Sequence, residues 1–277
     1  MSMKKKGANG LEKRAIVTIA IGTKFQKLAS YTHPFLRSYA DKCGAEFIVI
    51  DSPRLSDRLG LATYERFQLH DLLEDYDRII YIDSDILVSP DSPDLFELVP
   101  AGVMGVSSEE KYSMSGRDKR LTMEILGEVA WKNPYFNAGM MVVGREHREL
   151  FDVNNPDLFL WATGEFRKKH VNLLNDQPFI NHRVNKLGYD VVDLGFRYNH
   201  TRVITQTHLR FHSYFIHYAG PSGHRYGERS EQVRKDALVL DSRFRLGMSR
   251  KYPFYRWVAD RLDVGFVAYL FREKLFN

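Results

Sequence analysis

One cysteine, Cys43, stands in 277 residues, so no disulfide can form within the chain. That scarcity suits a reducing compartment. No apolar run approaches the ~20 residues that a membrane-crossing helix needs. Positions 1–14 are basic and polar without an apolar stretch, so they do not read as a secretory leader but as a flexible N-terminal segment. Proline (10) and glycine (19) are too sparse for a collagen-like or linker-like chain. What is present is ordinary for a globular protein: 44% of the residues are hydrophobic, and a chain of this length can bury a sizeable core. A cytoplasmic protein is expected.

The formal charge is +5, from 40 basic and 35 acidic residues. It is unevenly placed. Residues 242–277 hold eight basic side chains and three acidic ones, and residues 1–241 balance at 32 of each. The same tail holds nine aromatics, among them Trp257, Tyr269 and Phe271. Basic residues interleaved with aromatics suit a helix packed with a solvated face, an anionic membrane surface or single-stranded nucleic acid.

Short apolar runs alternate with helical spacing. Ala15 to Ile21, Glu46 to Ile50 and Arg78 to Ile82 read as buried strands; Ser30 to Cys43 and Tyr64 to Leu73 read as helices. Further on, Gly139 to Val143, Val191-Val192 and Phe215 to Tyr218 read as strands, and Asp176 to Leu187 as a helix ended by Gly188. This order implies an α/β domain over 15–241, with a mostly parallel central sheet, helices on both faces and a basic-aromatic helical appendage from 242 onward. Ligand sites in such sheets lie beyond the carboxyl ends of the strands. Here those ends lead into Gly22-Thr23, Asp51 and Asp83-Ser84-Asp85.

Asp83 and Asp85, two residues apart after a buried strand, are placed to share a divalent cation or to close a capped loop. A second copy of the spacing, Asp75-Tyr76-Asp77, precedes its strand and reads as a solvated turn. His217, in an apolar stretch, is either a core histidine or a third ligand; imidazole with two carboxylates suits Mn²⁺, and oxygens alone suit Mg²⁺. The Gly220-Pro221 that follows offers exposed backbone to a diphosphate. Asn137-Ala138-Gly139 reads as a turn before a strand, and Asn175-Asp176-Gln177 as a helix start.

Five segments occur in order: Tyr64-x-Arg66, Tyr81-Ile82-Asp83-Ser84-Asp85, Tyr135-Phe136-Asn137-Ala138-Gly139, Asp176-Gln177 and His217-Tyr218-Ala219-Gly220-Pro221. Together they resemble family 8 glycosyltransferases of the GT-A fold, over about residues 15 to 222. The resemblance implies a retaining, metal-dependent transfer of a hexose from a nucleoside-diphosphate sugar, a UDP-sugar first of all, to a glycan or lipid-linked acceptor. It makes Asp83, Asp85 and His217 the ligands of Mn²⁺ or Mg²⁺. Ala20, Ile21, Gly22 and Thr23 become the nucleotide cradle, and Asp51 the contact to the base. Ser84 lies near the ribose, Arg66 contacts the donor, and Asn137 and Ala138 line the sugar pocket. Asp176 and Gln177 stand beside the donor sugar. Gly223 replaces the lysine often found six residues past the metal histidine, which leaves Gly220, His224 and Arg225 to meet the diphosphate.

On this reading the tail is expected at an anionic membrane surface, with no nucleic acid as partner and the enzyme peripheral at the inner face of the membrane. The charged stretch from Ser107 to Trp131 reads equally as a surface helix or an acceptor-side lid. Three rival functions fit the sequence less well. A haloacid-dehalogenase-type phosphatase would want Thr or Val where Leu87 stands. A nucleotidylyltransferase would want a richer phosphate loop than Gly22-Thr23-Lys24. A nucleotide-sugar or nucleic-acid binding module would not need both carboxylates and the histidine.

Overall fold

The computed structural model describes residues 12–111, 113–165, 175–202, 207–220 and 228–245. The chain divides into two compact units. The first comprises 1–21, 40–82 and 94–194; the second comprises 22–39, 83–93 and 195–277.

Among the described residues unit one carries six strands: β1 (Arg14–Ile19), β2 (Glu46–Ile50), β3 (Arg78–Ile82), β5 (Met104–Ser108), β6 (Phe136–Gly144) and β7 (Val191–Asp193), in the order β2-β1-β3-β6-β5-β7. β1 runs parallel to β2 and β3, and β5 parallel to β7; β6 alone is reversed between β3 and β5. Both β3 and β6 are buried at every position, so both faces of the sheet centre are covered. This is why their sequences are continuous apolar runs rather than alternating ones.

Unit two carries β4 (Ile86–Val88), β8 (His200–Thr201) and β9 (Phe215–His217), in the order β4-β9-β8. Among the described residues the helices, in chain order, are α1 (Thr23–Lys42), α2 (Ser56–Leu59), α3 (Leu69–Asp75), α4 (Leu95–Leu98), α5 (Ser113–Leu126), α6 (Pro156–Thr163), α7 (Asp176–Leu187) and α8 (Arg229–Arg245). Leu28 of α1 joins Leu87, Ile216, Tyr218 and the α8 residues Val233, Ala237 and Leu240 in a separate core. Buried Arg210 and Tyr218 both bond Asp236, which ties α8 to that core.

Two boundaries differ from the sequence expectation and a third agrees with it. α1 begins at Thr23 rather than Ser30, because Gly22 takes φ +81° and starts the turn, its carbonyl accepting from Gln26 N. The stretch expected to be one helix from Tyr64 is a 3-10 segment, Ala62–Gln68, that leads into α3. Gly188 ends α7 in the left-handed region at φ +70°, as its place after the helix implies.

Candidate active site

The antiparallel pairing of β4 and β9 sets Ile86 opposite His217. One residue further the ladder continues, with Tyr218 N donating to Asp85 O at 3.0 Å. Register alone therefore carries Asp85 to the imidazole. His217 Nε2 lies 3.2 Å from Asp85 Oδ1 and 3.8 Å from Asp83 Oδ2. One ligand atom from each of Asp83, Asp85 and His217 falls within 4.8 Å of the others, close enough to meet one ion. Asp85 and His217 are buried and Asp83 is half-buried.

The ring is held from its other side. His217 Nδ1 lies 2.8 Å from Asn199 Oδ1, so Nδ1 carries the proton and donates it. The lone pair of a neutral imidazole then sits on Nε2, facing the carboxylates, which is the tautomer a metal ligand needs. Two hard oxygens and one nitrogen fit Mn²⁺ or Mg²⁺. Without a metal, burial would raise the Asp85 carboxyl, but a protonated His217, donating from Nε2, and then Arg229 outweigh it and hold it at about 2; a bound cation takes the place of that Nε2 proton. It therefore stays ionised, as a ligand must. Ser84, between the two aspartates, is buried, and its carbonyl accepts from Thr32 Oγ1 of α1 at 2.8 Å. Gly220, just beyond β9, takes φ +90°.

In unit one a second polar set surrounds the start of α7. Asn175 caps the helix, its Oδ1 accepting from Gln177 N at 3.1 Å. Pro178 sits in the first turn, where a missing N–H costs nothing. Asn181 fastens α7 to β6: its amide accepts from Phe136 N at 2.8 Å and donates to Phe136 O at 2.9 Å. Gln177 Oε1 accepts from Ala138 N at 3.2 Å, and its Nε2 donates to Glu109 Oε2 at 3.2 Å. Glu109 Oε1 also accepts from Asn137 Nδ2 at 3.1 Å. Asp176 is ion-paired with Arg66, both nearly fully buried, and the Arg66 guanidinium lies 4.5 Å over the Tyr81 ring. Expected neighbours Arg66, Asn137, Ala138, Asp176 and Gln177 are thus brought together.

The expected cradle is split between the units. Ala20 and Ile21 follow β1, Ala20 N donating to Ile50 O at 2.9 Å, and Asp51 follows β2 on the same sheet edge, exposed and bonded by Ser52 Oγ. Gly22 and Thr23 open α1 in unit two. His224 and Arg225 lie outside the described residues. Sequence reasoning missed Glu109, Asn199, Arg202 and Arg229. None sits in a motif; each acts through a partner distant in the chain.

A family model described as Glycosyl transferase family 8 matches residues 13–222. No curated protein matches the chain by sequence. Among solved structures, the galactosyltransferase LgtC in complex with donor and acceptor sugar analogues is similar at 18% identity and a TM-score of 0.52, covering 80% of this chain and 95% of that one. An active-site mutant of LgtC gives 15% identity and a TM-score of 0.52, with 89% and 99% covered. A glycosyltransferase involved in the glycosylation of the major capsid of PBCV-1 gives 14% and 0.48, with 79% and 98% covered. The architecture common to this chain and LgtC is the GT-A fold, and with a family model spanning most of its length the chain belongs to glycosyltransferase family 8 and is a glycosyltransferase.

Proposed function

We propose that this enzyme is a metal-dependent hexosyltransferase that takes its sugar from a nucleoside diphosphate, UDP first of all, and delivers it with retention to a glycan or lipid-linked acceptor. The observation that carries the reading is the convergence of Asp83, Asp85 and His217, with the histidine tautomer fixed by Asn199. A divalent cation bound there supplies Lewis-acid stabilisation of the charge that develops on the diphosphate as the anomeric C–O bond breaks.

The chain's own groups do the rest. Asp83, Asp85 and His217 hold the ion. Asn137, Ala138 and Gln177 position the donor sugar, and Glu109 keeps Asn137 and Gln177 in one arrangement. Gln177 Oε1 spends one lone pair on Ala138 N, and a carbonyl oxygen has two, so the other can face an oxocarbenium-like carbon. Asp176 is a poor covalent nucleophile here, because its carboxylate is buried and ion-paired with Arg66. That favours front-face attack, with the leaving phosphate taking the acceptor's proton. Ala20 to Thr23 and Asp51 are assigned to the nucleotide, and Ser84 to its ribose.

The test is hydrolysis and transfer with a panel of nucleotide sugars, with and without EDTA, followed by NMR of the product linkage. The expected outcome is cation-dependent release of the nucleoside diphosphate and an α-linked product from an α-linked donor. Turnover undiminished by EDTA refutes the metal role, and a β-linked product refutes retention.

A further inference from the structure

In unit two, next to the metal-ligand cluster, two arginines converge on one carbonyl. Arg202 Nη2 lies 3.4 Å from Gly220 O, and Arg229 Nη2 donates to the same oxygen. They are held differently. Arg202 is 2% exposed and fixed, its Nε donating to Ala219 O at 2.8 Å and its Nη1 to Gln232 Oε1 at 3.4 Å. Burial pulls Arg202 below the usual arginine range, and the neighbouring charge of Arg229 adds to this. Arg229, the first residue of α8, is half-buried and places Nη1 2.9 Å from Asp85 Oδ2. Its Nε is buried with no hydrogen-bond partner among the described residues.

Metal ligation needs His217 neutral. Among the described residues, the carboxylates of Asp83 and Asp85 then cancel the guanidiniums of Arg202 and Arg229, and the two charges of a bound dication stand in excess. Exposed Glu228, the other acidic neighbour of Arg202, offsets one of them at most. The loaded site is therefore short of an anion. Arg229 is also a cation on the very carboxylate that a second cation must use. The two repel, and Arg229 is the one with a bonding group unspent.

We propose that Arg229 couples the metal to the diphosphate: its guanidinium neutralises Asp85 before a cation is bound, and turns to the diphosphate oxygens once the carboxylate has one, so each ligand strengthens the other. The planar fork suits two phosphate oxygens as well as it suits a carboxylate. Arg202, pinned by three acceptors, supplies static charge only. This role rests on the nucleoside-diphosphate reading above and adds the residue and the coupling to it.

The experiment measures Mn²⁺ binding by EPR of the free ion, and binding of UDP, GDP and ADP by calorimetry with and without Mn²⁺. The full chain is compared with Arg229→Gln and Arg229→Lys. Coupling between ligands typically amounts to about 5- to 150-fold, and wild type is expected in that range. Arg229→Gln is expected to bind Mn²⁺ alone about 3- to 10-fold more tightly, to bind the diphosphate with Mn²⁺ roughly 10-fold more weakly, and to lower the coupling several-fold, to the part that direct attraction between cation and diphosphate supplies. Arg229→Lys keeps the charge, so Mn²⁺ affinity stays near wild type while part of the coupling is lost with the fork. Weaker Mn²⁺ binding in Arg229→Gln, or unchanged coupling, overturns the proposal and leaves the donor reading intact. A wild-type chain that binds neither Mn²⁺ nor any of the three diphosphates brings down both.

Discussion

Asn199 does for His217 what no motif announces. It stands eighteen residues before the histidine, and its Oδ1 holds Nδ1 from behind at 2.8 Å. Such partners of a metal ligand fix ring orientation and basicity, and losing one typically costs ~10- to 100-fold in metal affinity. Asn199→Ala should therefore weaken Mn²⁺ binding by about that factor while the ligands stay in place; Asp85→Ala should abolish both binding and transfer. Mn²⁺ titration by EPR checks both, and wild-type affinity in Asn199→Ala would show that the tautomer is held by other means. The same comparison explains what the sequence reveals at this scale. Asp83 and Asp85 are legible because they follow an apolar strand directly. Asn199, Arg202 and Arg229 are not, because they reach the site through β8, β9 and the start of α8, whose contacts depend on register across the chain.

At the scale of elements, the strands before the site were legible and the connections were not. β2 and β3 have the expected bounds because each is a continuous apolar run ended by polar residues. β4 and β8, at three and two residues, are too short to carry a period. The segment after β2 shows what else escapes. Buried Glu65 accepts from Arg54 N, Leu55 N and Ser56 N and from Gln68 Nε2, and so folds the connection between β2 and the Arg66 segment. Burial pushes its carboxyl up, but the backbone amides of Ser56, Arg54 and Leu55 win and hold it below its ordinary value of 4.5. A carboxyl lowered on folding stabilises the protein above that ordinary value, and the contribution fades as pH falls through the folded value. Glu65→Gln keeps the shape but not the charge, so it should cost about 1–3 kcal/mol at pH 7, and the gap to wild type should close on acidification below 4.5. Urea unfolding at pH 7 and pH 4 checks this. An equal loss at both values would mean that shape, not charge, carries the contribution.

At the scale of the whole molecule, the α/β class and the mostly parallel sheet follow from alternating apolar strands and helical spacing, while the reversal of β6 does not, since Gly139 to Val143 is equally apolar in either direction. No helix among the described residues is long and apolar enough to cross a membrane. The basic surplus is a different matter. It belongs to residues 242–277, of which 246–277 lie outside the described residues. With the other 241 residues balanced in sum, the tail joins five net positive charges to nine aromatics, whereas the basic segment 1–14 holds no aromatic residue. Near an anionic leaflet each Lys or Arg contributes about 1 kcal/mol, and aromatic rings add apolar contact at the headgroup boundary. We therefore expect the full chain to sediment with vesicles containing phosphatidylserine or phosphatidylglycerol and not with phosphatidylcholine alone. Raising the ionic strength from about 0.1 M to 1 M shortens the screening length from roughly 10 Å to 3 Å, so most of that binding should be released. Replacing Arg250, Lys251 and Arg256 with glutamine should weaken vesicle binding without changing hydrolysis of a soluble nucleotide sugar. Equal sedimentation with neutral and anionic vesicles would instead assign the tail's charges to a solvated protein face.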